Sequence, residues 1–451
     1  MSVMKYKDPT TGEIKKVGAP KVSTYTPFKP AGKSYLTFSS PNSFTLAAET
    51  ATKYWAGTLE YFASDRTWTT WDGTAPLSSV DKEGEYVLYL RGTGNTALSY
   101  HDETEDAYTG WVINGTDVRC NGNIETLLDY ATVETGQHPA MANYCFSTLF
   151  SGCTALTQAP ALPAMTLVEG CYGSMFAGCT SLTKAPALPA TTLANLCYAA
   201  MFVECASLTQ APALPATTLA SRCYAYMFQG CTGLTQAPAL PATTLAEQCY
   251  FLMFQNCTGL IKAPVLPATT LVVGCYGGMF YGCTSLTQIP ALPATTLANQ
   301  CYYGMFLGCT ALTQAPALPA TTLANQCYHG MFQGCTALTQ APALPATTLA
   351  EECYTIMFLG CTSLKLCTVK GGEYTIAYRI PSSGTGTTAT NALAEMFTNT
   401  GGMFTGAPAI NTTYYLSSGN MIVRETEIAT LNGYVGSMID AAIGNAIGGS
   451  Y

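Results

Sequence analysis

The sequence predicts a mixed, β-rich chain: a solenoid of nine 26-residue α/β coils, preceded by an antiparallel β-sandwich. Three observations predict it. One cysteine recurs every 26 residues from Cys145 to Cys353, and a second recurs at the same step from Cys153 to Cys361, without a slip. A fixed period in the twenties marks an architecture in which each repeat is one coil. Upstream of the repeats, between residues 33 and 118, apolar residues alternate with a period of two, and turn signals separate the runs.

The coil phrase is clearest at 301–326, C-Y-Y-G-M-F-L-G-C-T-A-L-T-Q-A-P-A-L-P-A-T-T-L-A-N-Q. Read as a short helix at about 100° per residue, Cys327, Tyr328, Met331, Phe332 and Cys335 share one face and are expected in the core. His329, Gly330, Gln333 and Gln326 fall opposite. Pro342 and Pro345 exclude helix from the extended side of the coil and leave it only partly hydrogen-bonded. Thr347-Thr348-Leu349 is β-prone and is expected to form a ladder strand. At about 4.8 Å per rung, nine rungs share a core roughly 43 Å long.

The phrase C-Y-x-x-M-F-x-G-C-T-x-L-T resembles I-G-x-x-A-F-x-G-C-T-S-L-T of the BspA-like bacterial leucine-rich repeats. P-A-T-T-L-A is similar to the P-x-S-V-T of that family. The resemblance covers about half of the chain. It implies a right-handed leucine-rich-repeat solenoid with a binding or scaffolding role and no catalytic residue.

The remaining elements follow in order. Residues 1–32 are polar, with the turn signal Asp8-Pro9-Thr10-Thr11-Gly12, and are expected to be an N-terminal attachment arm. Their opening, M-K-Y-K-D-P-T-T-G-E, resembles fibre and decoration proteins encoded by phages of gut bacteria. Residues 33–118 carry strand runs at Tyr35–Phe38, Phe44–Leu46, Thr58–Phe62, Trp68–Trp71, Tyr86–Leu90 and Gly110–Ile113, an Ig-like sandwich on spacing. All four tryptophans fall here and are expected in the core rather than on a sugar. The run Asp102-Glu103-Thr104-Glu105-Asp106 lacks the glycine-spaced ligands of a calcium loop and reads as solvated. A short helix over Ile124–Tyr130 within 119–144 is expected to cap the solenoid of 145–364. Residues 365–423 are expected to cap its other end, with strands at Cys367–Val369, Tyr374–Tyr378 and Thr413–Leu416 and a degenerate coil helix at Asn391–Phe397. In 424–451, Ile428, Leu431, Val435 and Met438 keep the spacing of a coiled-coil seam. A C-terminal oligomerisation helix is expected there, in a homo-oligomer, trimer or dimer.

Composition bounds the function. Of 451 residues 48% are hydrophobic and 10% charged, with a net charge of −8 and no basic stripe, which argues against nucleic acid. Eighteen of the twenty cysteines are the two repeat columns, expected to be buried thiols; each column has an odd number of members, which disfavours pairing along it. Only His101, His138 and His329 exist, so a catalytic triad or metal centre has little to draw on, and no catalytic residue, cofactor or metal is expected. The N-terminus has no apolar export core, and no run of 18 apolar residues spans a membrane. The predicted outer face of the coils varies instead, carrying Tyr226, Phe251, Leu252, Tyr281, Tyr303 and His329 where neighbours have Gly, Ala or Gln. Large apolar groups held in water suit recognition or subunit contact.

These features and the two resemblances together lead to the expectation of a non-enzymatic structural protein of a phage virion, a head or tail fibre or decoration protein. It would be assembled in the host cytoplasm and displayed on the particle, joined to other virion proteins through 1–32 or 424–451. Its solenoid would meet a host-surface glycan or protein. A bacterial surface adhesin of the BspA-like class and a carbohydrate-binding module on a solenoid are the alternatives.

Overall fold

A computed structural model of the chain describes residues 5–7, 14–16, 28–32, 34–49, 55–102 and 107–424. The expected oligomerisation seam, most of the arm and Glu103–Asp106 of the acidic run lie outside the described residues. The chain is β-rich, with a single α-helix and several sheets among the described residues.

In chain order the first strands are β1 (Lys5–Lys7), β2 (Ile14–Lys16), β3 (Leu36–Ser40), β4 (Thr45–Ala48), β5 (Thr58–Phe62), β6 (Trp68–Trp71), β7 (Leu77–Ser78), β8 (Val80–Lys82) and β9 (Glu85–Thr93). They continue with β10 (Tyr100–Asp102), β11 (Ala107–Thr109), β12 (Trp111–Asn114) and β13 (Val118–Asn121), then helix α1 (Thr126–Glu134) and β14 (Leu156–Gln158). β1 and β2 form an antiparallel hairpin across the predicted turn. A three-stranded sheet has the order β12-β4-β7, and a seven-stranded sheet the order β14-β13-β3-β9-β5-β6, with β8 on β9. Alternation drives the pairing: β12 and β13 bury every second side chain. Trp55, Trp71 and Trp111 are buried and touch in series, with centroids 5.5 and 5.9 Å apart. Trp68 is half-buried, and the Arg91 guanidinium lies 4.1 Å above its ring. Phe28, assigned by sequence to the arm, instead packs with Tyr35, Phe62, Val87 and Tyr89 on the second face of the large sheet.

The repeats correct the helical reading. Between Cys145 and Cys361 each Cys-to-Cys segment is a row of turns, not a helix. Every fourth residue has positive φ, as at Gln326 (55°), Gly330 (59°) and Gly334 (72°), which breaks an α-helix at each step. Backbone N–H groups then alternate. Those of Tyr328, Gly330 and Phe332 donate to the carbonyls of Cys353, Thr355 and Met357 in the next row, at 2.9–3.0 Å. Those of Cys327, His329 and Met331 turn back to Ala324, Gln326 and Tyr328, at 3.2–3.3 Å. A four-residue turn period advances about 90° per residue where a helix advances 100°. The two therefore agree over eight residues on which side chains point inward, and Cys327, Tyr328, Met331, Phe332 and Cys335 are all buried. Equivalent rings stack from row to row, Tyr302 on Tyr328 at 5.7 Å and Phe306 on Phe332 at 5.8 Å, with planes within 9°. The expected ladder strand is also corrected. Successive coils meet there by single parallel bridges, such as Thr296 to Thr322, and again ahead of the prolines, as Gln314 to Gln340; the prolines between the two points cannot donate.

Both ends of the stack differ from expectation. α1 starts two residues later than the predicted helix and packs on β9, where Asn95 receives Gly57 N–H and donates to Thr58 O and Leu127 O. The first row is covered chiefly by the sheets: the N–H groups of Leu98, Trp111 and Val118 donate to the carbonyls of Cys145, Leu149 and Ala155. Downstream come β15 (Gln340–Pro342), β16 (Lys365–Cys367), β17 (Tyr374–Arg379), β18 (Gly401–Gly402), β19 (Thr413–Ser417) and β20 (Met421–Val423). β17-β19-β16-β18 form a sheet, and β20 lies parallel on β15. The expected coil helix at Asn391–Phe397 is another turn row, with φ near 53° at both Asn391 and Glu395, and Phe397 stacks on Phe358. One apolar core runs from Leu36 of β3 to Leu416 of β19.

All twenty cysteines are buried. In the second column Cys153 Sγ approaches Trp111 O of β12, and from Cys179 onward each Sγ approaches a carbonyl of the row before, as Cys335 does Phe306 O at 3.1 Å. A small, largely apolar side chain with one weak donor fits this position. Burial pushes Cys335 up to about 12 and Cys309 well above the ordinary thiol range, leaving almost no thiolate at neutral pH. The eighteen repeat cysteines are therefore expected to resist a thiol-specific reagent in the native protein and to react in denaturant. Disulfide-linked peptides from the columns in a non-reducing digest contradict this.

Candidate interaction face

The outward side chains of the rows come from three columns. The first holds Phe251, Tyr303 and His329; the second Tyr226, Leu252 and Ile356; the third Tyr281 and Leu307. Each predicted residue of the face lies at the surface: Tyr281 and Tyr303 are 37% and 39% exposed, and Tyr226, Phe251, Leu252 and His329 are partly buried.

They form two groups. Tyr226 meets Phe251 edge to face at 5.6 Å. Phe251 and Leu252 lie over Gly277 and Gly278 of the next row, where an added Cβ would come within 2.9 Å of the Phe251 ring and 2.2 Å of Leu252 Cδ2. The glycine pair is the floor of this apolar group. In the second group Tyr303 stacks on His329, with centroids 4.8 Å apart and planes at 13°.

The second column carries a conformational signal. It is glycine at 278, 304 and 330, with φ of 54–60°. Tyr226, Leu252 and Ile356 hold the same left-handed conformation at 58°, 52° and 48°. A non-glycine residue there costs about 1–2 kcal/mol, more readily for β-branched Ile356. Bulk is thus kept where glycine would be relaxed, a pattern met at binding surfaces.

Beside Tyr303 and His329 lies a polar cleft of about 340 Å³ lined by Val273, Asn299, Gln300, Asn325, Gln326, Glu351 and Glu352. Gln300 Nε2 donates to Gln326 Oε1 at 2.6 Å, and Gln326 Nε2 donates to Glu352 Oε2 at 2.7 Å. This amide ladder ends on a carboxylate that can only accept. Glu352 Oε2 also lies 3.8 Å from His329 Nδ1, a buried atom without a hydrogen-bond partner. Burial lowers the His329 pKa and the Glu352 charge opposes this; the net shift is downward, so the imidazole is neutral at pH 7. The cleft was not read from sequence, although its signal is present: the pairs Asn299-Gln300, Asn325-Gln326 and Glu351-Glu352 stand one period apart. Together, the face offers aromatic planes, amides and two carboxylates to a ligand lying along the rows. Among the described residues no group of three His, Cys, Asp or Glu side chains could hold a metal, and no helix is long and apolar enough to cross a membrane.

Comparison with protein-family models, with characterised proteins and with solved structures finds no match for this chain.

Proposed function

We propose that the chain is a non-enzymatic structural protein of a phage virion, a fibre or decoration protein. Its repeats form a right-handed solenoid of nine leucine-rich coils of the BspA-like kind. In this reading the outer face around Tyr226, Phe251, Leu252, Tyr281, Tyr303 and His329 meets a host-surface glycan or protein. The observation that carries the recognition role is the bulk kept at left-handed positions on a charge-poor stack. Eighteen core cysteines as buried thiols suit assembly in a reducing compartment, and the opening phrase of the chain resembles phage fibre and decoration proteins. The chain acts as a homo-oligomer attached to the particle through a terminal segment. The polar cleft favours a second reading, a carbohydrate-binding module, because amides and carboxylates beside an aromatic stack suit hydroxyl-rich ligands.

Mass spectrometry of density-banded particles and of washed host envelopes tests the proposal. The chain is expected in the particles, and the purified protein is expected to bind host cells. The double variant Tyr281→Ser, Tyr303→Ser should reduce that binding at least about tenfold with an unchanged melting temperature. Recovery only in envelopes overturns the virion reading in favour of an adhesin, and unaltered binding by the variant removes the face from recognition.

A further inference from the structure

The row from Gly274 to Gly282 interrupts the outer columns of its neighbours. The column that carries the amide ladder reads Arg222, Gln248, Gly274, Gln300, Gln326 and Glu352 at one-period steps, all left-handed with φ of 52–59°. Every position but Gly274 holds a polar side chain. The neighbouring column changes at the same row, from Glu247 to Val273 to Asn299, and Val273 is 40% exposed. The aromatic column is bare there as well: Gly277 stands between Phe251 and Tyr303. Tyr303 stacks on His329 of the following row, so its other face is turned towards Gly277.

The direction of the ladder is fixed by its ends, because a guanidinium only donates and a carboxylate only accepts. Arg222 Nε donates to Gln248 Oε1 at 2.6 Å. The group that this amide has left is the Nε2 donor, 3.7 Å from the place of a Cβ on Gly274. From the other end, Glu352 accepts from Gln326 Nε2, which turns Gln326 Oε1 to Gln300 Nε2 and leaves Gln300 Oε1 as the free acceptor. Neither Gln248 Nε2 nor Gln300 Oε1 has a hydrogen-bond partner among the described residues. A free donor and a free acceptor thus flank one gap. Two rung steps of about 4.8 Å, less the width of one amide, leave roughly 7 Å between them. A single hydroxyl bridges under about 6 Å. A secondary amide, whose C=O and N–H point in opposite directions, bridges about 7–8 Å.

We propose that the gap at Gly274 receives the acetamido group of an N-acetylated amino sugar. Its carbonyl would accept from Gln248 Nε2 and its N–H would donate to Gln300 Oε1, completing the ladder. The acetyl methyl would meet exposed Val273, and the sugar ring would lie on the open face of Tyr303. Glu351 and Glu352, further along the cleft, are acceptors for the hydroxyls of a second ring. A peptide brings an amide too, but its neighbouring N–H and C=O groups find no second gap and would lose water unpaired. The site deepens the glycan reading of this face and rests on it.

Saturation-transfer NMR and calorimetric titration of the full chain with N,N′-diacetylchitobiose, cellobiose and N-acetylalanine N-methylamide test it. The diacetyl sugar is expected to bind, with its acetyl methyls most strongly saturated, and cellobiose to bind at least about tenfold more weakly. Gly274→Gln fills the gap with an amide of the chain's own, in the left-handed conformation that Gln300 and Gln326 already hold. It should lose at least about tenfold in affinity while hydrogen exchange shows the rows still folded. Gln300→Leu, at an exposed position, removes the free acceptor and should weaken binding likewise. Equal affinity for cellobiose, or unchanged affinity in both variants, overturns the proposal. Tighter binding of the acetylalanine amide than of the sugar overturns it in favour of a peptide partner. Absence of binding by either sugar also overturns it; the recognition face itself falls only if Tyr281→Ser, Tyr303→Ser leaves host-cell binding unaltered.

Discussion

Phe306→Ala is expected to lower stability by about 3–5 kcal/mol, and Leu312→Ala by about 2–5 kcal/mol. Phe306 is fully buried and lies between Phe280 and Phe332, at 5.7 and 5.8 Å, with planes within 7°. The neighbouring rows cannot collapse into the space left behind. Their separation is set by backbone hydrogen bonds on both sides, Phe306 N–H to Met331 O and Phe280 N–H to Met305 O, each 2.9 Å. The cavity therefore persists, and the lost transfer free energy and the cavity term add. Leu307→Ala, one residue along on the outer face, should cost under about 1 kcal/mol. Urea denaturation of the two variants side by side is the measurement. Because a row touches only its neighbours, hydrogen exchange should also place the Phe306→Ala loss in the adjoining rows first. Equal losses at Phe306 and Leu307 contradict the four-residue phase of the rows.

Gly92→Ala is expected to destabilise the sheet region by about 3 kcal/mol or more. A Cβ at Gly92 would stand 1.8 Å from Leu127 O and 2.5 Å from Leu127 C, so the backbone entering α1 would have to move off β9. Asn95, 3% exposed, bridges Gly57, Thr58 and Leu127 at the same point, and this movement strips a bond from its buried amide. Each polar group left unpaired adds about 1–3 kcal/mol. Gly84→Ala is the comparison: that glycine has φ of 91° and no atom within 4 Å of an added Cβ, so only conformational strain of about 1–2 kcal/mol applies. Thermal melts that rank Gly84→Ala as the more damaging change would show that α1 is not locked to β9 in this way.

The row at 391–399 bears on how a repeat stack ends, because the N–H groups of Asn391, Leu393 and Glu395 have no backbone acceptor among the described residues. Its first row is closed by N–H groups from Leu98 and from strands β12 and β13, so donors meet the carbonyl side. The opposite side needs acceptors, which strands β16 to β19 spend largely on one another. Stack polarity thus makes the two caps chemically unlike, a distinction that hydrophobic pattern alone does not carry.

The sequence by itself determined the 26-residue period, the identity of the inward columns, the outward placement of Tyr281, Tyr303 and His329, and the bounds of β5 and β6. Each follows from side-chain chemistry repeated at a fixed spacing, and inward facing at Cys327 or Phe332 requires only that apolar groups leave water. Backbone conformation was decided only by tertiary structure. A helical period and a four-residue turn period select the same face over eight residues, so the pattern could not separate them. The choice falls to the backbone N–H groups, which can bond within their own segment or to the next row. For Tyr328 and Gly330 the acceptors that win are Cys353 O and Thr355 O, which lie in place only once the neighbouring row has stacked. The same reason hid β13, whose partners β3 and β14 lie far from it in sequence, and the cleft at Glu351 and Glu352. Both are made by residues that stacking and strand pairing bring together from distant positions along the chain.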